Sequence, residues 1–580
     1  MRTAPLKGLA RDWRFVTALI RTLARVRSIS ATSTRLICDD LEAAVDRWRD
    51  RPAISFGGQN LSYGELDALA NRFAHLALAR GLARGDTVAI LLPNRLEYLA
   101  LWYGLSKVGV VAALINGELR GEALAHCLKT SAARICVVDE TTAARLEAPT
   151  AAWNLDDGLA DAPTSRPPRQ GRAGMTAADT ALLIYTSGTT GLPKAARITH
   201  MRAQLYMRGF AGATGAGPAD RLYLTLPLHH ATGGLCAMGA ALLNGGSVAL
   251  KRTFSASHFW ADVAFERATL FVYIGELCRY LANQPVRPQE RAHHLRLAFG
   301  NGLRPDVWEI METRFGVPRV LEFYGSTEGN VSMFNFDGRL GAIGRAPPWL
   351  PGLLNVALVR FDVETETPVR GAGGLCIATD IGEAGECLGR IGENARGAYA
   401  GYADRGASQK KVLRDVFRAG DAWFATGDLM RRDAAGYFYF VDRVGDTFRW
   451  KGENVSTGEV AQSLLAVPGV MEANVYGVAV PGMDGRAGMA ALVVREGFDL
   501  TALAARLDAD LPPWARPLFV RLLPRIETTG TFKHRKAELV ADGFDPARAA
   551  GLLYFRDHAG GFVPLTPALH TLIAVGEERI

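Results

Sequence analysis

The sequence predicts an α/β fold with a large N-terminal domain of packed α/β subdomains and a small mobile C-terminal α+β domain, and three observations carry this. Short apolar runs ending in polar or glycine turns alternate with helical stretches, as parallel α/β sheets require. At 580 residues the chain exceeds one ordinary core. A separate compact strand and helix pattern follows Asp446.

Taken in order, residues 1–36 form a basic N-terminal segment. Arg2, Lys7, Arg11, Arg14, Arg21, Arg25, Arg27 and Arg35 face a single acid, Asp12. From Asp12 to Val26, Trp13, Val16, Ile20 and Leu23 repeat at helical spacing, with Arg11, Arg14, Arg21 and Arg25 on the other side. Such a helix suits an anionic membrane surface, or it docks on the protein body with its arginines in water.

Residues 37–445 form the expected large domain. Its strands include Val88–Asn94, Ala133–Glu140 and Ala181–Gly188, and its helices Tyr63–Arg80 and Glu97–Gly109. The stretch Ala162–Gly174, rich in proline, arginine and glycine, reads as a surface connector. Residues 446–580 form the cap, with helices Thr457–Leu465 and Leu500–Leu511 and strands Asn474–Val480 and Ala490–Val494.

Composition narrows the class of function. Hydrophobic residues at 48% and charged residues at 22% fit a folded globular protein rather than a disordered or fibrous one. The net charge of +7 is small for this length and gathers near the N-terminus, so nucleic acid is not expected as a partner. Seven cysteines without a CxxC pair argue against a zinc site or a disulfide framework. No run approaches the roughly 18 apolar residues that span a bilayer. A cytoplasmic location, with the N-terminal helix as a candidate contact to the inner face of a membrane, is the expectation.

Four clusters carry chemistry. In YTSGTTGLPK, a strand runs into a turn where Thr186, Ser187, Gly188, Thr189, Thr190 and Gly191 can surround phosphate oxygens while Lys194 supplies charge. It lacks the GK[ST] ending of the Walker type. In FYGSTEGN, Tyr324 offers a face for a purine, Thr327 a hydroxyl for a phosphate, and Glu328 a carboxylate for Mg²⁺. The glycines of GNGLRPD, from Gly300, would let a flat base approach the backbone. Asp428 in FATGDL and Arg443 in VDRVGD suit ribose hydroxyls. Lys533, in ETTGTFKHRK, follows a Thr/Gly turn that could reach across from the cap.

In this order and spacing the clusters resemble the acyl-adenylate-forming superfamily of AMP-dependent synthetases and ligases. The wording YIGELCRY, GNGLRPDVW, GDTFRWKGENVST and TGTFKHRK is closest to the fatty acid transport protein / very-long-chain acyl-CoA synthetase family, and the resemblance runs from about Ile54 to Thr566. It implies a fatty acid–CoA ligase that uses ATP, Mg²⁺ and coenzyme A, with acyl-AMP as intermediate. By that resemblance Thr186 to Lys194 hold the β- and γ-phosphates, with Tyr185 also part of the cofactor site. Gly300, Asn301, Gly302 and Tyr324 frame the adenine, Thr327 the α-phosphate, Glu328 the metal, and Asp428 with Arg443 the ribose, and Gly325 and Ser326 also belong to the cofactor site. Lys533 bridges the substrate carboxylate and the α-phosphate. Asp446 is the hinge, about which the turn Lys451, Gly452 and Glu453 swings in for the thiol step. His230 lies at the inner end of the acyl pocket, and His229 departs from the family's aromatic. Pocket walls are expected in Ala231–Leu243 and Phe271–Leu277. Open alternatives are a bulky acid such as a bile acid or sterol side chain, a carrier-protein thiol as acceptor, and a membrane-associated uptake protein that traps its substrate.

Overall fold

The computed structural model describes residues 4–146, 150–186, 192–350, 352–392, 394–483, 485–527, 536–578 and 580, with side chains from Arg11 onward. Two large sheets form its base. The first runs Ala151–Asn154, Ile135–Val138, Thr87–Leu92, Val111–Asn116, Thr180–Thr186, Lys194–Thr199. All neighbours are parallel except the last pair. The second has eight strands, with a parallel centre of Pro52–Phe56, Ser247–Leu250, Arg221–Leu224, Leu270–Ile274, Leu297–Asn301 and Val320–Gly325. Its edges, Gln59–Ser62 and Ser332–Phe334, are antiparallel.

Runs such as Val88–Leu92, buried at every position, read as continuous rather than alternating because helices cover both faces of the sheet. Helix Tyr63–Ala79 starts where expected because Ser62 and Glu65 form a reciprocal capping box. Helix Leu96–Lys107 is buried along its length. Lys107 itself is only 1% exposed, its ammonium held by Asp67, Asn71 and the nearby Glu42.

The connector Ala162–Gly174 is more than a surface tether. Arg166 pairs with Asp46 and Asp67, and Arg172 with Asp39 and Glu42, strapping the segment to the two helices that carry those acids. A third, antiparallel sheet holds Tyr437–Arg443, Ala422–Arg432, Ala384–Arg390 and Val356–Val359.

After it, Phe448–Trp450 and Glu453–Val455 form a hairpin, and a five-stranded sheet runs Val470–Val478, Ala487–Val494, Phe519–Leu522, Leu552–Arg556, Phe562–Pro564. Helices Thr457–Leu465 and Leu500–Asp510 cover it. Both strands foreseen in this region begin three or four residues earlier than the sequence suggested. Its core, from Phe448 to Ile573, draws no buried member from earlier in the chain.

The N-terminal helix, Ala4–Val26, differs from expectation in which face it buries. It packs on helix His200–Thr214 through Phe15, Ala18 and Thr22. A Cβ on Gly212 would stand 2.6 Å from Thr22 Cα, so that glycine sets the close approach. Trp13 and Ile20, placed on the buried side by their spacing, are 71% and 61% exposed. Arg21 turns inward to donate to the carbonyls of Gly212 and Ala213, and Arg25 donates to Asn244 Oδ1. The reason is electrostatic: the last carbonyls of a helix lack intrahelical donors and attract cations.

Candidate functional site

The phosphate-loop motif begins at the end of strand Thr180–Thr186. Tyr185 is buried and donates its hydroxyl to the Cys127 carbonyl at 2.6 Å, so its side chain anchors the strand. Thr186 pairs with Lys194 across the mouth of the loop. Ser187, Gly188, Thr189, Thr190 and Gly191 lie outside the described residues.

Opposite this mouth stands a residue the sequence reading missed. Tyr402 donates its hydroxyl to Glu328 Oε1 at 2.8 Å, the Thr186 hydroxyl is a further partner, and Lys194 Nζ lies 5.9 Å from its ring centroid. Burial, and then the Glu328 carboxylate, push the Tyr402 phenol up, so it stays a donor. Two more residues escaped notice. Arg202 donates to the carbonyls of Ser326 and Thr327, and Tyr206 donates to the Ser326 carbonyl at 2.8 Å. Both sit on helix His200–Thr214 and hold the Ser326–Glu328 turn by its backbone carbonyls.

In a second group the Tyr324 hydroxyl donates to Asp428 Oδ2 at 2.5 Å, and Arg443 Nε lies 3.8 Å from Asp428 Oδ1. The register of the third sheet places Asp428 directly opposite Arg443. Glu386, also unforeseen, accepts from the Gly427 amide at 3.3 Å, and burial pushes its carboxyl up to about 7.

Gly300 is required by packing and Gly302 by its backbone conformation. A Cβ on Gly300 would meet the Tyr273 carbonyl at 2.2 Å, and Gly302 has φ +78°. Behind them Glu322 accepts from the Tyr273 hydroxyl at 2.6 Å and from the Leu303 amide at 3.0 Å. Full burial pushes the Glu322 carboxyl up to about 8. Asn301 Oδ1, between the glycines, is buried with no protein hydrogen-bond partner among the described residues, an acceptor suited to an amino group such as that of a purine.

His229 and His230 lie with ring centroids 4.3 Å apart. Burial, with His230 adding to it, depresses His229 well below its ordinary range, so it is a neutral imidazole. The Asn94 side chain holds the preceding turn, accepting from the Leu228 amide and donating to the carbonyls of Leu226 and Lys251. The glycines of Ala231–Leu243, foreseen as pocket wall, are spent on close packing. A Cβ on Gly234 would meet the Leu228 carbonyl at 2.2 Å, and one on Gly239 the Met207 Cα at 2.2 Å.

At the boundary of the cap, Asp446 Oδ2 accepts from Lys536 Nζ at 3.1 Å. Lys451 and Gly452 form a two-residue hairpin loop with φ of 51° and 85°, the left-handed pair such a loop demands. That turn faces solvent. Lys533 lies outside the described residues.

The set therefore offers hydroxyl, carboxylate and cationic groups for a polyphosphate and paired groups for a sugar. For a magnesium ion, Glu328 with the Thr186 and Thr327 hydroxyls supplies hard oxygen donors. Mg²⁺ held between phosphates needs only one or two protein carboxylates, so the residues present fit it. No cluster of three or more His, Cys, Asp or Glu side chains that could hold a metal ion occurs among the described residues.

Residues 41–382 match the AMP-binding enzyme family, and residues 459–533 match the AMP-binding enzyme C-terminal domain. The chain is 43% identical over 523 residues to human long-chain fatty acid transport protein 3, covering 86% of this chain and 76% of that protein. It is 41% identical over 539 residues to the medium/long-chain-fatty-acid–CoA ligase FadD6 of Mycobacterium tuberculosis, covering 90% and 87%. Among solved structures, ATP-bound MatB from Rhodopseudomonas palustris superposes with a TM-score of 0.72 at 25% identity, covering 87% of this chain and 98% of that one. The o-succinylbenzoate CoA synthetase of Bacillus subtilis, solved with ATP and a magnesium ion, shares the fold with a TM-score of 0.69 at 24% identity, covering 85% and 98%.

Proposed function

The chain belongs to the AMP-binding enzyme family and is an AMP-forming acyl-CoA ligase, and from that premise we propose that it activates long-chain fatty acids with ATP and passes them to coenzyme A. The observation that carries the reading is the meeting of Thr186, Lys194, Tyr402 and Glu328, with Tyr324, Asp428 and Arg443 joined where the strand Val320–Gly325 leads into the turn bearing Glu328. Together these groups supply the chemistry that the phosphates and the ribose of one nucleotide require. The relatives named as long-chain transport proteins and as a medium/long-chain ligase support the substrate class.

In the first half-reaction a carboxylate oxygen attacks the α-phosphorus, the bond to the bridging oxygen breaks, and pyrophosphate leaves. Two anions must meet, so a positioned cation lowers the barrier. Lys533 is assigned that role. Glu328 would hold Mg²⁺, whose charge would offset that of the phosphates, while Tyr402 keeps the Glu328 carboxylate oriented. Asp428 and Arg443 fix the ribose, and Gly300 to Gly302 with Tyr324 frame the base. His230 stands at the inner end of the acyl site.

In the second half-reaction the cap turns about Asp446 and brings Lys451 and Gly452 to the adenylate. The thiol then attacks the acyl carbon and AMP leaves. With the Lys451 turn facing solvent, the described cap orientation fits the first half-reaction.

No helix among the described residues is long and apolar enough to cross a membrane. The outward Trp13 and Ile20, with Trp349 packed edge-on against Phe15 and 52% exposed, support a peripheral contact with a bilayer surface. Uptake would then follow from trapping the acid as its thioester. The test of the whole reading is a panel of acids differing in length and shape, incubated with ATP and coenzyme A and read by mass spectrometry. Long-chain acyl-CoA with AMP and pyrophosphate is the expected product. Turnover confined to ring-bearing acids, or acyl-AMP untouched by coenzyme A, would refute it.

A further inference from the structure

Helix Gly275–Ala282 touches three working parts of the molecule at once. At its start, a Cβ on Gly275 would stand 1.8 Å from the Gly302 carbonyl oxygen, so this helix and the Gly300–Gly302 loop are in backbone contact. Its first turn continues from Phe271–Ile274, the segment expected to wall the acyl site. Its last turn carries Arg279, an arginine only 5% exposed.

Arg279 crosses to the cap. Its Nη1 donates to the Met471 carbonyl in strand Val470–Val478. Nε and Nη2 donate to Glu276 at 2.9 and 2.6 Å, and Nη2 lies 3.9 Å from Glu472 Oε1. Asn283 Nδ2 donates to the same Met471 carbonyl at 3.4 Å. Around these bonds the boundary is open rather than sealed. A cavity of about 550 Å³ lies between Gln284, Val286 and Arg314 on one side and Val467, Gly469 and Arg495 on the other. A second of about 400 Å³ lies between Tyr280, Phe254 and Glu472. Beside these cavities a buried charged hydrogen bond ties the two sides together.

The contact depends on cap orientation. Trp450 and Val455 of the hairpin bearing Lys451 share one core with Val470. Hairpin and strand therefore move as a unit, and a rotation that brings the Lys451 turn inward carries Met471 away from Arg279.

We propose that Arg279 is a positioning residue, a latch that holds the cap in the adenylate-forming orientation and ties it to the nucleotide cradle through helix Gly275–Ala282. This rests on the two-step reading above. Release of the latch leaves Arg279 paired with Glu276 and frees the cap for the thiol step.

Two measurements test it, one of which needs no activity. The first is tryptic cleavage at Arg443 or Arg449, mapped by mass spectrometry on the full-length native protein. Arg279→Ala should raise the rate of cleavage at least several-fold, and Arg279→Lys should fall between it and wild type. The second compares the half-reactions. In Arg279→Ala, ATP–pyrophosphate exchange with a long-chain acid should fall about tenfold or more, while thioester formation from supplied acyl-AMP stays within twofold of wild type. Asn283→Ala, which removes the weaker bond, should shift both readouts the same way by less, and covers the case of an Arg279→Ala protein that does not fold. Unchanged hinge cleavage in these variants would overturn the latch, as would loss of both half-reactions together with no recovery in Arg279→Lys. A wild-type protein that exchanges no pyrophosphate would refute the proposed function instead, and the cleavage rates would still decide the latch.

Discussion

Tyr402 and Glu328, 74 residues apart in sequence, are joined by a 2.8 Å hydrogen bond at the mouth of the phosphate-loop strands. That bond leaves the other Glu328 oxygen as the one that would reach Mg²⁺ in the proposed reaction. Tyr402→Phe removes one hydrogen bond to a charged group, worth about 1.5–3 kcal/mol. The expected result is a fall in kcat/KM of roughly ten- to a hundredfold, with more MgCl₂ needed for half-maximal rate. Initial rates across a magnesium titration check this, and an unchanged magnesium requirement would argue that Tyr402 only packs.

Lys533 and Lys451 are assigned to opposite half-reactions. Lys533→Ala should lower pyrophosphate exchange by about 2.7–4 kcal/mol of barrier, the cost of losing one such charge contact. Transfer from supplied acyl-AMP should survive. Lys451→Ala should do the reverse. Equal loss in both half-reactions for either variant would remove that assignment.

Glu322 predicts a pH dependence of stability. Its folded pKa of about 8 lies above the ordinary 4.5 because burial disfavours the charged form, so the folded state holds a proton that the unfolded state gives up. The stabilisation from that proton is complete below the unfolded value and is lost as pH rises through about 8. Glu322→Gln keeps the acceptor for Leu303 and has no proton to lose. Its melting temperature should therefore gain on wild type between pH 5.5 and 8.5. Parallel melting curves across that range would contradict the assignment.

Much of the fold was legible because its signals are local. The β-branched runs at Val88–Leu92 and Leu182–Thr186, and the Ser62 and Glu65 pair, act within a few residues. Helix Thr457–Leu465 was placed to the residue because Ser456 caps it. The clusters at Gly300, Tyr324 and Asp428 were legible as motifs. Tyr402, Arg202, Tyr206 and Glu386 were not, since their meaning arises only where distant strands and helices converge, and each sits in an unremarkable local pattern. The inward arginines of the first helix were hidden for a related reason. Periodicity reports which side is apolar, but the carbonyls at Gly212 and Ala213 that attract Arg21 lie some 190 residues away.

That inversion of faces leads to the last expectation. Docking through Phe15, Ala18 and Thr22 leaves Trp13 and Ile20 outward, with Arg14 exposed on the same helix and Arg27 exposed just past its end. A tryptophan and an isoleucine beside cations match the interface of an anionic bilayer, where apolar side chains enter the headgroup boundary and arginines meet lipid phosphates. Trp13→Ser with Ile20→Ser should lower co-sedimentation with vesicles of mixed phosphatidylcholine and phosphatidylserine at least several-fold. Raising salt should weaken binding of the wild type, since exposed charges are screened. Because both side chains point away from the body, the melting temperature and the rate with a soluble acyl substrate should not change. Sedimentation equal to wild type would show that this helix serves docking alone, and loss of binding with a lower melting temperature would show that its outer face supports the fold.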